Sequence, residues 1–160
     1  MHPPTHRLKP VHALLMIVTL CMLSGCWPAD EGPLPGRTAP VPSDFSFIGR
    51  SSACLLELPD VPRSIRVNCF HVDGVLHIHS NRFAKWPRLR GESWVDTVQR
   101  QPEVRVAMNG QIYALRGTPM RNESQRVALL KARGYWIAWN GITVFAFEPR
   151  PDLPTSTHRS

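Results

Sequence analysis

Four cationic side chains crowd one stretch of this chain: Arg82, Lys85, Arg88 and Arg90, with Trp86 and Trp94 interleaved. Guanidinium groups match phosphate or carboxylate oxygens in a bidentate fashion, and an indole face stacks on a planar ring. Residue types at that spacing suit an anionic, planar ligand. The alternative is a solvated basic loop beside an anionic membrane. A second group is His77 and His79, two apart, so that on a strand both point one way. Such pairs are weak candidates for ligating zinc or copper, which requires a third or fourth ligand. Asn68, or His71 after a register slip, could join them, but none is clearly placed and Asp73 belongs to a turn, so ordinary sheet-face histidines are the better reading. Nucleophile elbow, phosphate-binding loop, zinc-finger spacing and dinucleotide fingerprint are all missing from the sequence.

The elements that must position these groups read as hairpins. Ala53–Leu58 is a short apolar strand broken by Pro59-Asp60-Val61-Pro62. Ser64 to Val72 alternates and runs into Asp73-Gly74, a preferred pair for a two-residue type I′ turn, and Val75 to Ser80 returns. Pairing Val72 with Val75 sets Phe70 opposite His77 and Asn68 opposite His79. Ile65, Val67, Cys69, Leu76 and Ile78 then share the other, core-facing side. Val104–Met108, Asn109-Gly110 and Gln111–Leu115 repeat the device. Ser93 caps a short helix that ends before Pro102. Asn122, with Gln125 three residues on, caps a helix over Glu123–Arg133 that stops at Gly134. Ile142–Phe147 is a last strand, stopped by Pro149, and Tyr135, Trp136 and Trp139 are expected to pack the barrel end. Their exposure would instead mark a partner surface. Many short strands with few helices predict a mainly β, small antiparallel barrel.

The chain has 160 residues, 19 basic and 12 acidic side chains and a net charge of +7. That is room for one domain, and no run of five like charges suggests a nucleic-acid partner. Residues 1–12 carry Arg7 and Lys9 and no acid, and Ala13 to Leu23 is an apolar run of eleven. Such a run is too short to span a membrane and right for a signal peptide. Leu23-Ser24-Gly25-Cys26 follows and resembles the lipobox of bacterial lipoproteins. The resemblance implies removal of residues 1–25, acylation of Cys26 and a lipid anchor in the membrane. With Trp27 rather than aspartate after the cysteine, it further implies the outer membrane, facing the periplasm. Residues 26–44 hold Pro28, Pro33, Pro35, Pro40 and Pro42 and read as an extended tether. Residues 45–149 form the domain and 150–160 a flexible tail. Cys54 and Cys69 remain in an oxidising compartment. If Leu58 pairs with Ile65, the register sets the two cysteines opposite each other, favouring a disulfide over two buried thiols.

From Ser80 onward the sequence also resembles the split β-barrel flavin and deazaflavin reductases, especially the deazaflavin-dependent nitroreductases. The match is Trp94, then Gln101-Pro102-Glu103-Val104-Arg105-Val106, then Asn109-Gly110. It implies a small split barrel over roughly residues 53–149, FMN or a related flavin as ligand, and reductase chemistry carried by that cofactor. Three features depart from the family pattern, one of them a longer loop before Trp94. Pro59-Asp60-Val61-Pro62-Arg63-Ser64 stands where the family has a Gly-Arg-Lys-Ser-Gly turn, and Thr97 stands where it has asparagine. Two functions are therefore expected side by side. One is an envelope lipoprotein whose barrel binds a flavin-like or other anionic planar ligand through Ser80, Asn81, Arg82, Lys85, Arg88, Arg90 and Trp94. The other is a non-catalytic envelope binding or assembly module on a degenerate barrel. A homodimer is compatible with both.

Overall fold

A computed structural model describes residues 32–59, 63–84 and 92–150. Strand β1 is Arg37–Thr38, β2 Ser52–Leu58, β3 Arg63–Val72, β4 Val75–His79, β5 Glu103–Met108, β6 Gln111–Pro119 and β7 Val144–Pro149. Helices α1 (Trp94–Arg100) and α2 (Glu123–Arg133) interrupt them, and Ser46–Ile48 forms one 3-10 turn. Six strands close a barrel in the order β6-β5-β2-β3-β4-β7, with β7 pairing back onto β6 and every pair antiparallel. The seventh strand, β1, lies outside that circuit and pairs parallel with the start of β6. The chain is therefore mainly β with two short helices, as the hairpin pattern predicts. Among the described residues no helix is long and apolar enough to cross a membrane.

Turn chemistry fixes two of the ladders. Asp73 and Gly74 have φ of 50° and 76°, Asn109 and Gly110 φ of 50° and 73°. Both central residues of each loop lie in the left-handed region, as a type I′ turn requires. Val72 consequently faces Val75, and Met108 faces Gln111. The β2–β3 ladder differs from the sequence expectation: Leu58 faces Arg63, Leu56 faces Ile65 and Cys54 faces Val67. The connection is thus two residues tighter at each strand pairing than the assumed register. Side chains repeat every two residues, so this slip leaves every one on its expected face. Cys54 and Cys69 end up diagonal rather than opposite, with Cα atoms 6.0 Å apart, and are joined by a disulfide.

Inside the barrel lie Leu56, Ile65, Val67, Leu76, Ile78, Val106, Leu115, Phe145 and Phe147, and α1 adds Trp94, Val95 and Val98 to them. Ser93 Oγ accepts from Asp96 N–H and starts α1, as expected. A second, smaller apolar cluster sits outside the sheet, where Leu130 of α2 meets Phe70, Ile142 and Val144. Asn122 Oδ1 accepts from Gln125 N–H at the start of α2, and Gly134 ends it at φ 106°. The face that carries the two histidines is therefore covered by a helix instead of facing water.

The stretch read as a free tether is docked from residue 32 onward. Arg37 N–H donates to Gly110 O, Ala39 N–H to Ile112 O, and Ser64 donates both N–H and Oγ–H to Gly32 O. Val41 is buried in the core. The prolines remove donors only at their own positions, so the intervening amides remain free to pair with a sheet edge. The expected signal peptide, Cys26 and the tail beyond residue 150 lie outside the described residues.

Candidate functional site

β4 delivers the predicted ligand loop at its C-terminal end. Ser80 is buried there, its N–H donating to Thr143 O while its Oγ accepts from Thr143 N–H and donates to Asn81 O. This buried hydroxyl joins the end of β4 to the residue before β7, and its one O–H is already donated to Asn81 O rather than to a ligand. Asn81 is exposed, but its Oδ1 accepts from Phe83 N–H and shapes the turn. Trp94, expected to stack on a planar ligand, is instead buried, its ring centroid 5.7 Å from that of Phe145. As the first residue of an amphipathic helix laid against the barrel, it is drawn inward with Val95 and Val98. Lys85, Trp86, Arg88 and Arg90 lie outside the described residues. Of the predicted set, Arg82 and Asn81 are the described residues that reach solvent.

His77 and His79 face Phe70 and Asn68, as the turn predicts, and both are buried. His77 Nδ1 lies 2.9 Å from Val75 O and His79 Nδ1 3.0 Å from Ser80 O, so each Nδ1–H donates to a carbonyl. His77 stacks on Phe70 at 5.3 Å, and His79 meets Tyr135 edge-on at 5.2 Å. Burial pushes both imidazoles below the ordinary value of 6.5. Nearby charges act the same way: His71 on His77 and Arg133 on His79. Among the described residues no group of three or more His, Cys, Asp or Glu side chains is gathered for a metal. Both rings are packed against aromatic side chains, each with its Nδ1–H on a backbone carbonyl.

The largest departure from expectation is at residues 135–141. Trp136 is 98% exposed, Ile137 59% and Trp139 45%, and Phe83 on the neighbouring turn is 40% exposed. Tyr135 and Ala138 pack against the outer apolar cluster, whereas Trp136, Ile137 and Trp139 stand off the barrel in water. The Arg82 guanidinium lies 4.4 Å from the Phe83 ring centroid and 5.2 Å from that of Trp139. Together they border an open groove of about 490 Å³. Two residues hold this arrangement. Arg126 is buried, pairs with Glu123 and donates from Nη1 to Trp139 O (3.0 Å) and Ile142 O (3.1 Å). Gly141 lets the two segments touch, since a Cβ there would stand 2.5 Å from Arg82 O. Sequence reading missed both, because their partners are distant in the chain and neither belongs to a motif.

A larger groove of about 760 Å³ runs between α1, the end of β6 and the start of α2, and contains Arg116, Arg121 and Arg126. Its positive charge is not concentrated. Arg126 is already spent, and Arg116 sits on the ladder between Glu103 and Glu148. No described nucleophile is paired with a base in either groove. What the aromatic corner offers is adhesion: rings and an aliphatic side chain in water, with one cation among them. Among known proteins, no family model and no curated sequence matches this chain.

Proposed function

We propose that this chain is a lipid-anchored envelope protein whose barrel is a non-catalytic docking module. Its working face is the corner formed by Arg82, Phe83, Trp136, Ile137 and Trp139. The observation that carries this reading is Trp136, 98% exposed at the tip of a loop held in place by a buried arginine. Leaving a large apolar side chain in water forgoes about 1.5–3 kcal/mol of burial. Clustered exposed apolar groups of this kind mark interaction sites. Support for the anchor is the run Ala13 to Leu23 ending in Leu23-Ser24-Gly25-Cys26. The flavin reading loses ground because Trp94 and Ser80 are both committed internally, so the described residues do not fit a stacked flavin at that position.

A photo-crosslinking amino acid placed at position 136, and separately at exposed position 131 on α2, tests the docking face in native membranes. Adducts from 136 but not from 131 are expected. Equal labelling at both positions removes the face. A flavin chromophore that co-purifies with the protein and is lost in Arg82→Ala would replace this reading with the ligand-binding one.

A further inference from the structure

Gly32 is the described residue nearest in sequence to Cys26, and the end of the barrel that holds it lies nearest to an anchor at Cys26. Around the barrel β2, β4 and β6 run one way and β3, β5 and β7 the other. One end of the barrel therefore collects the finish of β2 and β4 with the start of β3 and β7. The turn at 81–84 leaves the finish of β4, and loop 135–141 leads into the start of β7. Gly32 O accepts two hydrogen bonds from Ser64, the second residue of β3, at that same end. Six residue steps separate Cys26 from Gly32, a reach of at most about 20 Å even when fully extended.

We infer that the corner formed by Arg82, Phe83, Trp136, Ile137 and Trp139 seats on the lipid bilayer that holds the Cys26 anchor. The inference rests on the anchor reading and names the occupant of the docking face. An acylated Cys26 brings the barrel end carrying Gly32 within about 20 Å of the membrane, and the aromatic corner is on that end. Its chemistry fits the headgroup boundary. Tryptophans settle where one edge of the ring is apolar and the other wet, an isoleucine between them enters the acyl region, and a cation meets lipid phosphate.

Arg82 is available for that contact, for among the described residues no carboxylate pairs with it and none borders the groove. A protein partner fits less well. Four partly exposed apolar side chains present on the order of 500 Å², against about 800 Å² per partner for a standard specific interface. A bilayer needs no such area, because the anchor already supplies a high local concentration and a weak contact then suffices.

The test uses the mature lipidated protein in phosphatidylethanolamine–phosphatidylglycerol vesicles, with and without brominated acyl chains. Trp27 adjoins the anchor and Trp86 follows the turn at 81–84 in sequence, so both are replaced throughout by W27F and W86F, leaving Trp94, Trp136 and Trp139 as emitters. Brominated chains are expected to quench the emission, and adding Trp136→Phe and Trp139→Phe should remove at least about half of that quenching. Trp94, buried against Phe145, continues to report a folded barrel in every variant. Equal quenching in the parent and in the W136F/W139F variant overturns the bilayer contact. Protection of Trp136 from aqueous acrylamide without quenching by brominated lipid also overturns it, leaving a protein as the occupant of the face. Metabolic labelling with palmitate reads the anchor separately: label lost in Cys26→Ser supports it. Absence of label in the parent removes the anchor, and the orientation argument falls with it.

Discussion

His77 and His79 alternate with core residues in a way that reads as a wet face, yet α2 and Tyr135 make that face dry. Each imidazole has traded water for one carbonyl acceptor and aromatic neighbours, and burial, with a smaller contribution in the same direction from His71 on His77 and from Arg133 on His79, disfavours the protonated ring. Their pKa values are lower folded than unfolded, so below pH 6.5 the unfolded chain binds protons that the folded chain refuses. Stability is therefore full above pH 6.5 and declines as pH falls from there through the folded values. Denaturant midpoints measured between pH 8 and pH 5 should fall on the acidic side, and His77→Gln with His79→Gln should flatten that limb. A midpoint that holds steady across this range would show both groups to be solvated. The pairing of the two histidines was legible from Asp73-Gly74 alone. Their burial was not, because the covering helix begins more than 40 residues later. The same limit explains Trp94 and Trp136, whose indole types are identical and whose fates depend on where a helix and a loop come to rest.

Elements were legible where the chain writes its own boundary. Asp73-Gly74 and Asn109-Gly110 set two registers, and Ser93, Asn122 and Gly134 delimit two helices. The β2–β3 register was not so written. The sequence Pro59-Asp60-Val61-Pro62 permits more than one loop length, and a slip of two preserves the buried pattern. The contact between turn 81–84 and loop 135–141 leaves no local signature either, although it makes the docking corner. Its tolerance is narrow at Gly141, where a methyl group would meet the Arg82 carbonyl at 2.5 Å. Backbone cannot swing aside like a flexible side chain, so Gly141→Ala should destabilise by about 1–3 kcal/mol, as overpacking does. It should also part Arg82 from Trp139. Asn140→Ala, exposed next door, should stay within about 0.5 kcal/mol. Urea unfolding of both variants reads the difference, and equal midpoints would mean that the two segments are free to separate.

At the scale of the whole molecule, a barrel was foreseeable from two tight hairpins and a third strand pair, but its closure was not. Closure depends on β2 meeting β5, β4 meeting β7 and β6 meeting β7, pairings between segments that no tight turn connects. Such pairings cost loop-closure entropy before any contact repays it. The Cys54–Cys69 bridge acts elsewhere, on the consecutive strands β2 and β3, which it fixes to each other across 15 residues of chain. In the chain-entropy account a loop of that size is worth about 3 kcal/mol, most of it from restricting the unfolded state. Cys69→Ser should then lower unfolding stability by roughly 2–4 kcal/mol. Cys54→Ser should do the same, and the double variant should cost little more than either single one, because both remove one bond. Independent, additive losses would instead mean that each sulfur contributes by packing alone. Native protein should resist alkylation at both positions until reduced, and ready labelling of both thiols before reduction would show the bridge unformed.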